Sequence, residues 1–238
     1  MTGWTAKRFW KDVRTEAVEG GYTVRLDTRP IRSPAKRPLL LPTPAMAEAV
    51  AAEWAAVAEV VDPGAMPVTR SANAAIDKVA PQFDEVAGLI AAYGGSDLLC
   101  YRAAGPEALA AAQEEGWDPL LDWAARSYGA PLVTTVGVLP VAQSPESLAR
   151  LAAPIRAASA FELTALHDLV SLTGSLVLGL AATSGAFEPE TIWRLSRIDE
   201  DWQAAHWGED EDAADAAARK CRDFLHARYF WEISAPRP

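Results

Sequence analysis

The residue pattern of this chain changes near residue 43, and that change limits the folds the chain can adopt. From Tyr22 to Asp27 every second residue is apolar, which is the period of a strand with one buried face. Gly20-Gly21 predicts a turn before this strand, and residues 28–36, which include two prolines, predict a turn before the apolar residues 39–41. These features indicate an antiparallel meander of about three strands, which is too small to be stable without further packing.

After residue 43 the pattern becomes helical. Proline follows a residue that can begin a helix at four places: Thr43-Pro44, Asp118-Pro119, Ser144-Pro145 and Glu188-Pro189. Proline in the first helical position loses no hydrogen bond and already has a helical φ angle. We predict helices near residues 44–61, 80–92, 106–115, 118–128, 145–158, 161–184, 189–206 and 210–230. The predicted fold class is α+β, with a small N-terminal antiparallel β-rich domain at residues 1–43 and a larger, mainly α-helical domain at residues 44–238.

Two segments of the helical region are unusual. Residues 131–142 are rich in β-branched side chains, which favour extended structure. Two arrangements stay open for them: pairing with the N-terminal sheet, or a hairpin of their own. Residues 169–187 carry no formal charge over nearly the length that crosses a bilayer, but serine, threonine and glycine dilute them. We predict a helix buried on all sides, in which Ser175 and Gly179 let another helix approach closely, and no membrane insertion.

The distribution of charge is uneven. The net charge of −10 argues against nucleic-acid binding, which needs a concentrated positive field. Residues 1–40 contain nine Lys and Arg against four Asp and Glu, whereas residues 193–215 contain eight Asp and Glu, Glu209 among them, against two Arg. The acidic segment is interpreted either as a solvated helix face or as a surface that binds a basic partner. Trp202 and Trp207 lie among the acids and favour the second interpretation, because aromatic rings are enriched in binding surfaces.

The sequence shows no familiar catalytic motif. It contains no phosphate-binding loop, no dinucleotide-binding glycine motif and no G-x-S-x-G elbow. We interpret Gly94-Gly95 as a helix C-cap, and Cys100 and Cys221 as small buried apolar side chains. His167 and Asp168 are adjacent on a helix, so we expect their side chains to point apart. We predict no enzyme activity, no metal and no cofactor; the alternative is a metal- or carboxylate-dependent enzyme that uses the acids of residues 199–212 with His206.

Several short motifs together resemble one known family, the F1-ATPase assembly chaperones that act on the F1 alpha subunit. The likeness runs over nearly the whole chain, and no single motif is specific alone. It is carried by Arg8-Phe9-Trp10-Lys11, Gly21-Tyr22, Leu26-Asp27, Arg29-Pro30, Thr43-Pro44, Ala52-Glu53-Trp54, Thr69-Arg70, Asn73, Ile76-Asp77, the run from Tyr93 to Arg102, Trp117-Asp118-Pro119-Leu120, Leu195-Ser196-Arg197, the run from Asp199 to Gln203, and Trp207-Gly208.

The resemblance implies a chaperone without catalysis, which binds unassembled alpha subunit until the beta subunit takes its place. It also implies an important acidic residue, which we assign to Asp199, with Glu200 and Asp201 as neighbouring candidates. We therefore predict a partner-binding site of Asp199, Glu200, Asp201, Trp202 and Trp207. Structural roles are predicted for Trp54, Gly94 and Gly95; replacing a buried tryptophan such as Trp54 should cost about 3–5 kcal/mol.

The resemblance also gives expectations about the setting. The family occurs in mitochondria and in some bacteria, and the family likeness begins close to Met1, which leaves too few residues for a transit peptide. We therefore expect a monomer in the bacterial cytoplasm. A generic adaptor whose uneven charge drives self-association is the remaining alternative.

Overall fold

The computed structural model describes residues 7–208 and 210–235 of the chain. Its five strands are β1 (Val13–Val18), β2 (Gly21–Leu26), β3 (Arg29–Pro30), β4 (Tyr101–Arg102) and β5 (Thr135–Val136). The α-helices of these described residues are α1 (Pro44–Ala56), α2 (Pro67–Ala74), α3 (Phe83–Ala92), α4 (Glu107–Tyr128), α5 (Pro145–Ala157), α6 (Ala160–Thr173), α7 (Leu176–Ser184), α8 (Pro189–Leu195), α9 (Ile198–Trp207) and α10 (Glu211–Ser234). The predicted class, an N-terminal antiparallel sheet followed by a mainly helical region, is confirmed.

The N-terminal sheet is the predicted meander, with its strands in the order β1-β2-β3. The register of β1 on β2 runs from Val13 opposite Leu26 to Val18 opposite Gly21. Backbone hydrogen bonds join Tyr22 and Leu41 in both directions, which places the apolar residues 39–41 against this sheet. Gly21 is required there, because a Cβ at this position would lie 2.4 Å from the carbonyl oxygen of Leu41.

The chain forms two compact units, and the first contains the sheet. Its described residues are 7–83, 159–165 and 229–235. Its buried core joins Val24 and Leu26 of β2 to Met46 and Val50 of α1, and also includes Phe230. The unit thus extends well beyond the domain boundary that we expected between residues 43 and 44. A three-stranded sheet needs an apolar cover, and the buried face of α1 supplies it.

The second unit has described residues 84–158, 166–208 and 210–228. Its core surrounds α7, in which every residue from Leu176 to Ala182 is buried. Gly179 permits close packing inside this unit, since a Cβ there would lie 2.4 Å from Cγ2 of Val170. The uncharged segment is therefore buried along α7, as its composition predicts, although it is not a single helix. Every helix in the described part of the chain is too short or too polar to cross a membrane.

Several predicted helix boundaries were wrong. The helix expected at 161–184 is two helices, because Gly174 has a φ of 68° and the Ser175 hydroxyl accepts the Leu178 N–H to begin α7. The helix expected at 189–206 is likewise divided between α8 and α9. Conversely, α4 continues through Pro119, where two helices were expected. We attribute this continuity to the burial of Trp117 and Leu120 on either side of the proline, which offsets the lost hydrogen bond.

Residues 131–142 adopt neither of the arrangements considered from sequence. Their strand β5 pairs in parallel with β4, with Tyr101 opposite Thr135 and Arg102 opposite Val136. Both strands belong to the second unit, so this segment does not extend the N-terminal sheet. The helical stretch from Pro67 to Ala74, followed by a π-helical turn at Ala75–Val79, was not predicted.

Candidate functional site

The acidic segment forms one wall of a groove in the second unit. Helix α9 ends at Trp207, and Gly208, with a φ of 96°, redirects the chain towards α10. Side chains of α9, of α10 and of the turn between them line a cavity of about 550 Å³, and five of the lining residues are alanines: Ala204, Ala213, Ala214, Ala216 and Ala217. We call this cavity the acidic groove, because Glu200, Asp201 and Asp210 line it. Its lining also includes Arg197 and Lys220, so the groove combines alanine side chains with three carboxylates and two cationic side chains.

Glu200 and Asp201 present their carboxylates to solvent. Both are exposed, and both lie near a single guanidinium: Arg197 Nη1 is 3.0 Å from Glu200 Oε1, and Arg197 Nε is 3.9 Å from Asp201 Oδ1. The carboxylate ends of these pairs are exposed to solvent, although the Arg197 side chain is only 19% exposed, and ion pairs with an exposed partner contribute little to stability. These two carboxylates can therefore exchange Arg197 for the positive charge of a partner at low cost.

Asp199 has a different environment, although it is adjacent in sequence. Its side chain is half-buried and accepts a hydrogen bond of 2.5 Å from Nε2 of Gln113. Gln113 is only 2% exposed, and its Oε1 accepts the Ala103 N–H at 2.7 Å. Asp199 thus ties α9 to α4 and to the segment before α4.

Sequence reasoning missed Gln113. The signal that could have found it is its position four residues before Trp117, which places both side chains on the same face of α4. Trp117 is fully buried, so a polar side chain on that face needs a partner. Asp199 is that partner.

The two tryptophans of the predicted site also differ. The ring of Trp202 stacks on His206 with centroids 4.2 Å apart, and Nδ1 of His206 donates to the Trp202 carbonyl oxygen at 2.9 Å. Trp207, in contrast, lines the acidic groove and is 81% exposed. Trp207 therefore offers a large aromatic surface to a partner. Trp202 and His206, by contrast, stack on each other and share a hydrogen bond within α9.

The rest of the acidic segment caps the next helix. Asp210 precedes α10, and its carboxylate accepts the backbone N–H of Asp212 at 2.9 Å. An acid at this position also compensates the positive end of the helix dipole. Glu209, which the sequence placed in the same charge cluster, lies outside the described residues.

The glycine pair lies where a turn packs against two helices. Gly94 and Gly95 belong to a 3-10 turn, Tyr93–Ser96, that continues α3, and neither has the positive φ of a glycine C-cap. The C-cap interpretation was therefore wrong. A Cβ on Gly94 would lie 3.1 Å from Leu148 and 3.1 Å from Leu176, whereas one on Gly95 would meet nothing within 4 Å. The geometry supports a structural role at Gly94 only.

A buried carboxylate follows this turn and was not singled out from sequence. Asp97 is fully buried and accepts hydrogen bonds from the Ser175 hydroxyl at 2.7 Å, from the Leu99 N–H at 3.1 Å and from the Val177 N–H at 3.0 Å. Burial raises the pKa of Asp97 above its usual value, and the three donors oppose that rise. Asp97 is thus a structural link between the turn and the start of α7.

Trp54 is partly buried and packs against the core of the first unit. Its ring packs edge-to-face on Trp10, with centroids 5.2 Å apart and an angle of 61°. The indole N–H groups of Trp10 and Trp54 are both buried without a hydrogen-bond partner among the described residues. Packing is therefore what holds Trp54 in place, and a role in maintaining the fold stays our prediction.

The residues weighed for catalysis do not assemble into a reactive centre. In residues 7–208 and 210–235 no group of three or more His, Cys, Asp and Glu is placed to hold a metal ion. Burial raises the pKa of the Cys100 thiol to about 12, which keeps it protonated and unreactive. His167 and Asp168 do meet, with Nδ1 2.9 Å from Oδ1, so the expectation that they point apart was wrong. This hydrogen bond raises the pKa of His167, and both side chains lie at the surface.

Comparison with known proteins adds four similarities. Residues 7–125 match the protein family described as ATP12 chaperone protein. The crystal structure of Atp12 from Paracoccus denitrificans is 55% identical in sequence, with a TM-score of 0.94 over 97% of this chain and 99% of that one. A putative chaperone from Agrobacterium tumefaciens, the Atu1473 protein, is 44% identical, with a TM-score of 0.92 over 96% of this chain and 86% of that one. The mitochondrial protein atp12 of Schizosaccharomyces pombe is 25% identical over 222 residues, which are 87% of this chain and 75% of that protein.

Proposed function

Because this chain belongs to the ATP12 chaperone family, the non-catalytic assembly chaperones of F1-ATPase, we propose that it binds the unassembled F1 alpha subunit. In this proposal it shields the subunit interface of its client from aggregation and releases the client when the beta subunit takes its place. No cofactor or nucleic acid takes part.

The acidic groove is the observation that carries the proposal. A cavity of about 550 Å³ lined by five alanines can accept the apolar face of a helix or loop, and its exposed carboxylates Glu200 and Asp201 can pair with lysine or arginine of that segment. Trp207, exposed at its wall, is the kind of residue that anchors protein interfaces. We therefore propose Glu200, Asp201 and Trp207 as direct contacts of the client.

The other predicted site residues act indirectly in this proposal. Asp199, held by Gln113, positions α9 and with it the two exposed carboxylates. Trp202 stiffens the same helix through its stacking on His206. Rigid presentation lowers the entropy lost when a partner binds.

A holding chaperone needs moderate affinity. A micromolar complex corresponds to about −8 kcal/mol, which shields a client and still lets a larger native interface displace the chaperone. We place this work in the bacterial cytoplasm and assign it to a monomer; the similarity to two bacterial proteins supports the first point.

The test is a charge reversal in the groove. We expect the double variant Glu200→Lys/Asp201→Lys to bind purified F1 alpha subunit at least about tenfold more weakly than the unaltered chain, because two attractive charges become repulsive. The matched control is Asp215→Lys/Asp212→Lys, which reverses two exposed acids of α10 that do not line the groove. Affinity is measured by titration, and protection by light scattering of alpha subunit during refolding.

The binding results of the two double variants distinguish an effect of the acidic groove from an effect of net charge. Equal losses in both double variants would mean that net charge, and not the groove, governs binding. Absence of binding by the unaltered chain would refute the proposed function. Thermal midpoints of both variants are expected to fall by a similar small amount, because the reversed side chains are exposed and both pairs include acids in the first turn of a helix.

A further inference from the structure

The second unit also carries an apolar loop, residues 131–143, that does not line the acidic groove. Val136 is 66% exposed, Val138 is 90% exposed and Leu139 is 76% exposed. Single exposed apolar side chains are ordinary, but here three lie within four consecutive positions. The loop therefore presents a concentrated apolar surface to its surroundings.

The base of the loop is well anchored. Gln143 is buried, and its side-chain amide both accepts the N–H of Val133 and donates to its carbonyl oxygen, at 2.8 Å each. The Ser147 hydroxyl donates to the carbonyl oxygen of Pro131 at 2.8 Å. Beyond β5, the Gly137 N–H donates to the Arg102 carbonyl oxygen at 2.8 Å. The loop is thus held in shape before any partner arrives, which reduces the ordering cost of binding.

The composition of the apolar loop limits the kinds of partner that it can bind. Residues 131–143 contain no Asp, Glu, Lys or Arg, so the loop has no cation with which to approach an anionic membrane surface. Its exposed tip is a few side chains wide, far smaller than the roughly 20 residues a side of a stable dimer. The interfaces of permanent complexes are the most apolar protein interfaces, and they are exposed to solvent only before assembly. The apolar loop is complementary to an uncharged surface of that kind.

We propose that the apolar loop is a second contact surface for the client, seated on an apolar patch of the unassembled F1 alpha subunit that assembly later buries. This inference rests on the proposed function. It assigns the two surfaces of the second unit different tasks: the acidic groove attracts the client by charge, and the loop covers its apolar surface. Binding through the loop is insensitive to salt, whereas binding through the groove is weakened by salt.

The experiment compares truncation of the apolar loop with truncation of another exposed apolar side chain in the same unit. Val138→Ser/Leu139→Ser removes the tip of the loop, and Leu89→Ser removes a side chain of α3 in the same unit that is 61% exposed. We expect the loop variant to bind purified F1 alpha subunit about tenfold more weakly at both about 0.05 M and about 0.5 M salt, and the control to bind like the unaltered chain. If the double variant does not fold, Val138→Thr, which keeps the shape of the side chain, is expected to weaken binding in the same direction.

Each other result overturns the inference in a recognisable way. If the unaltered chain binds alpha subunit and the loop variants bind it equally well, the loop inference is wrong and the proposed function stands. If the unaltered chain does not bind alpha subunit at all, both fail. Sedimentation of the unaltered chain as a dimer that Val138→Ser/Leu139→Ser dissociates would assign the loop to a second copy. Loop-dependent flotation with phosphatidylglycerol vesicles would assign it to a lipid surface.

Discussion

At the scale of single residues, Asp97 connects segments that are distant in sequence. Its carboxylate meets Ser175 and Val177 across a separation of about eighty residues, and it is completely buried. A buried carboxylate is stable only when donors surround it, and here a hydroxyl and backbone N–H groups do so. The residue thereby orders both the turn after α3 and the first turn of α7.

We predict that Asp97→Asn lowers the free energy of unfolding at neutral pH by about 1–3 kcal/mol, because an amide NH₂ replaces an oxygen that accepts a buried donor. The size of this deficit should depend on pH. Burial raises the pKa of Asp97 in the native state above the usual 3.8, so the folded chain holds this proton more tightly than the unfolded chain. The associated stability is fully present below that unfolded pKa and is lost as the pH rises through the folded pKa.

The measurement is urea unfolding of both proteins at a series of pH values from about 4 to about 8. The difference in unfolding free energy between the unaltered chain and Asp97→Asn is expected to be largest at acid pH and to shrink as the pH rises. A difference that grows over the same range would mean that the donors outweigh burial and lower the pKa instead.

At the scale of elements, the turn at Gly94 shows how a small residue sets the distance between helices. The methyl group of Leu148 on α5 and that of Leu176 on α7 both lie where a Cβ of residue 94 would make a tight contact. The next residue, Gly95, faces open space. The sequence does not distinguish Gly94 from Gly95, but in the structure only Gly94 is enclosed by neighbouring side chains.

We predict that Gly94→Ala lowers the free energy of unfolding by about 1–3 kcal/mol, because both leucines must shift to admit the methyl group. Gly95→Ala is the matched control, and a change within about 0.5 kcal/mol is expected there. Chemical denaturation of both variants, followed with the same spectroscopic probe, measures the two changes in unfolding free energy. Equal effects would show that backbone freedom, and not packing, accounts for this glycine pair.

Element boundaries show which local signals are decisive. The capping pair Thr43-Pro44 began a helix as predicted, since the Thr43 side chain accepts the Met46 N–H. The similar pair Asp118-Pro119 did not, because the apolar face of α4 continues on both sides of it. A capping residue followed by proline thus predicts the start of a helix only where no buried apolar face continues through that position.

At the scale of the whole molecule, the acidic excess should control how the chain meets its client. The net charge is −10, and the exposed carboxylates of the acidic groove contribute to it. Attraction between exposed charges weakens when salt shortens the screening length. The groove should therefore mainly affect the rate of association, which electrostatic steering accelerates.

We predict that association with F1 alpha subunit slows at least about tenfold between about 0.05 M and about 0.5 M salt. Glu200→Gln/Asp201→Asn should reduce this salt dependence, because the neutral side chains no longer attract cationic groups. Stopped-flow mixing at several salt concentrations measures both rates. An unchanged salt dependence in the neutral variant would exclude these two carboxylates as the steering charges.

The sequence by itself determined the features that depend on neighbouring residues. Alternation predicted the N-terminal strands, and the absence of charge predicted that the segment containing α7 is buried, because period and burial are local properties of a pattern. The accumulated short motifs also identified the family. Only the tertiary structure decided that Asp199 binds Gln113 while Glu200 and Asp201 stay exposed, that β5 pairs with β4, and that Asp97 meets Ser175. These choices depend on which distant segments pack together, and packing energy is shared among many residues that no local pattern describes.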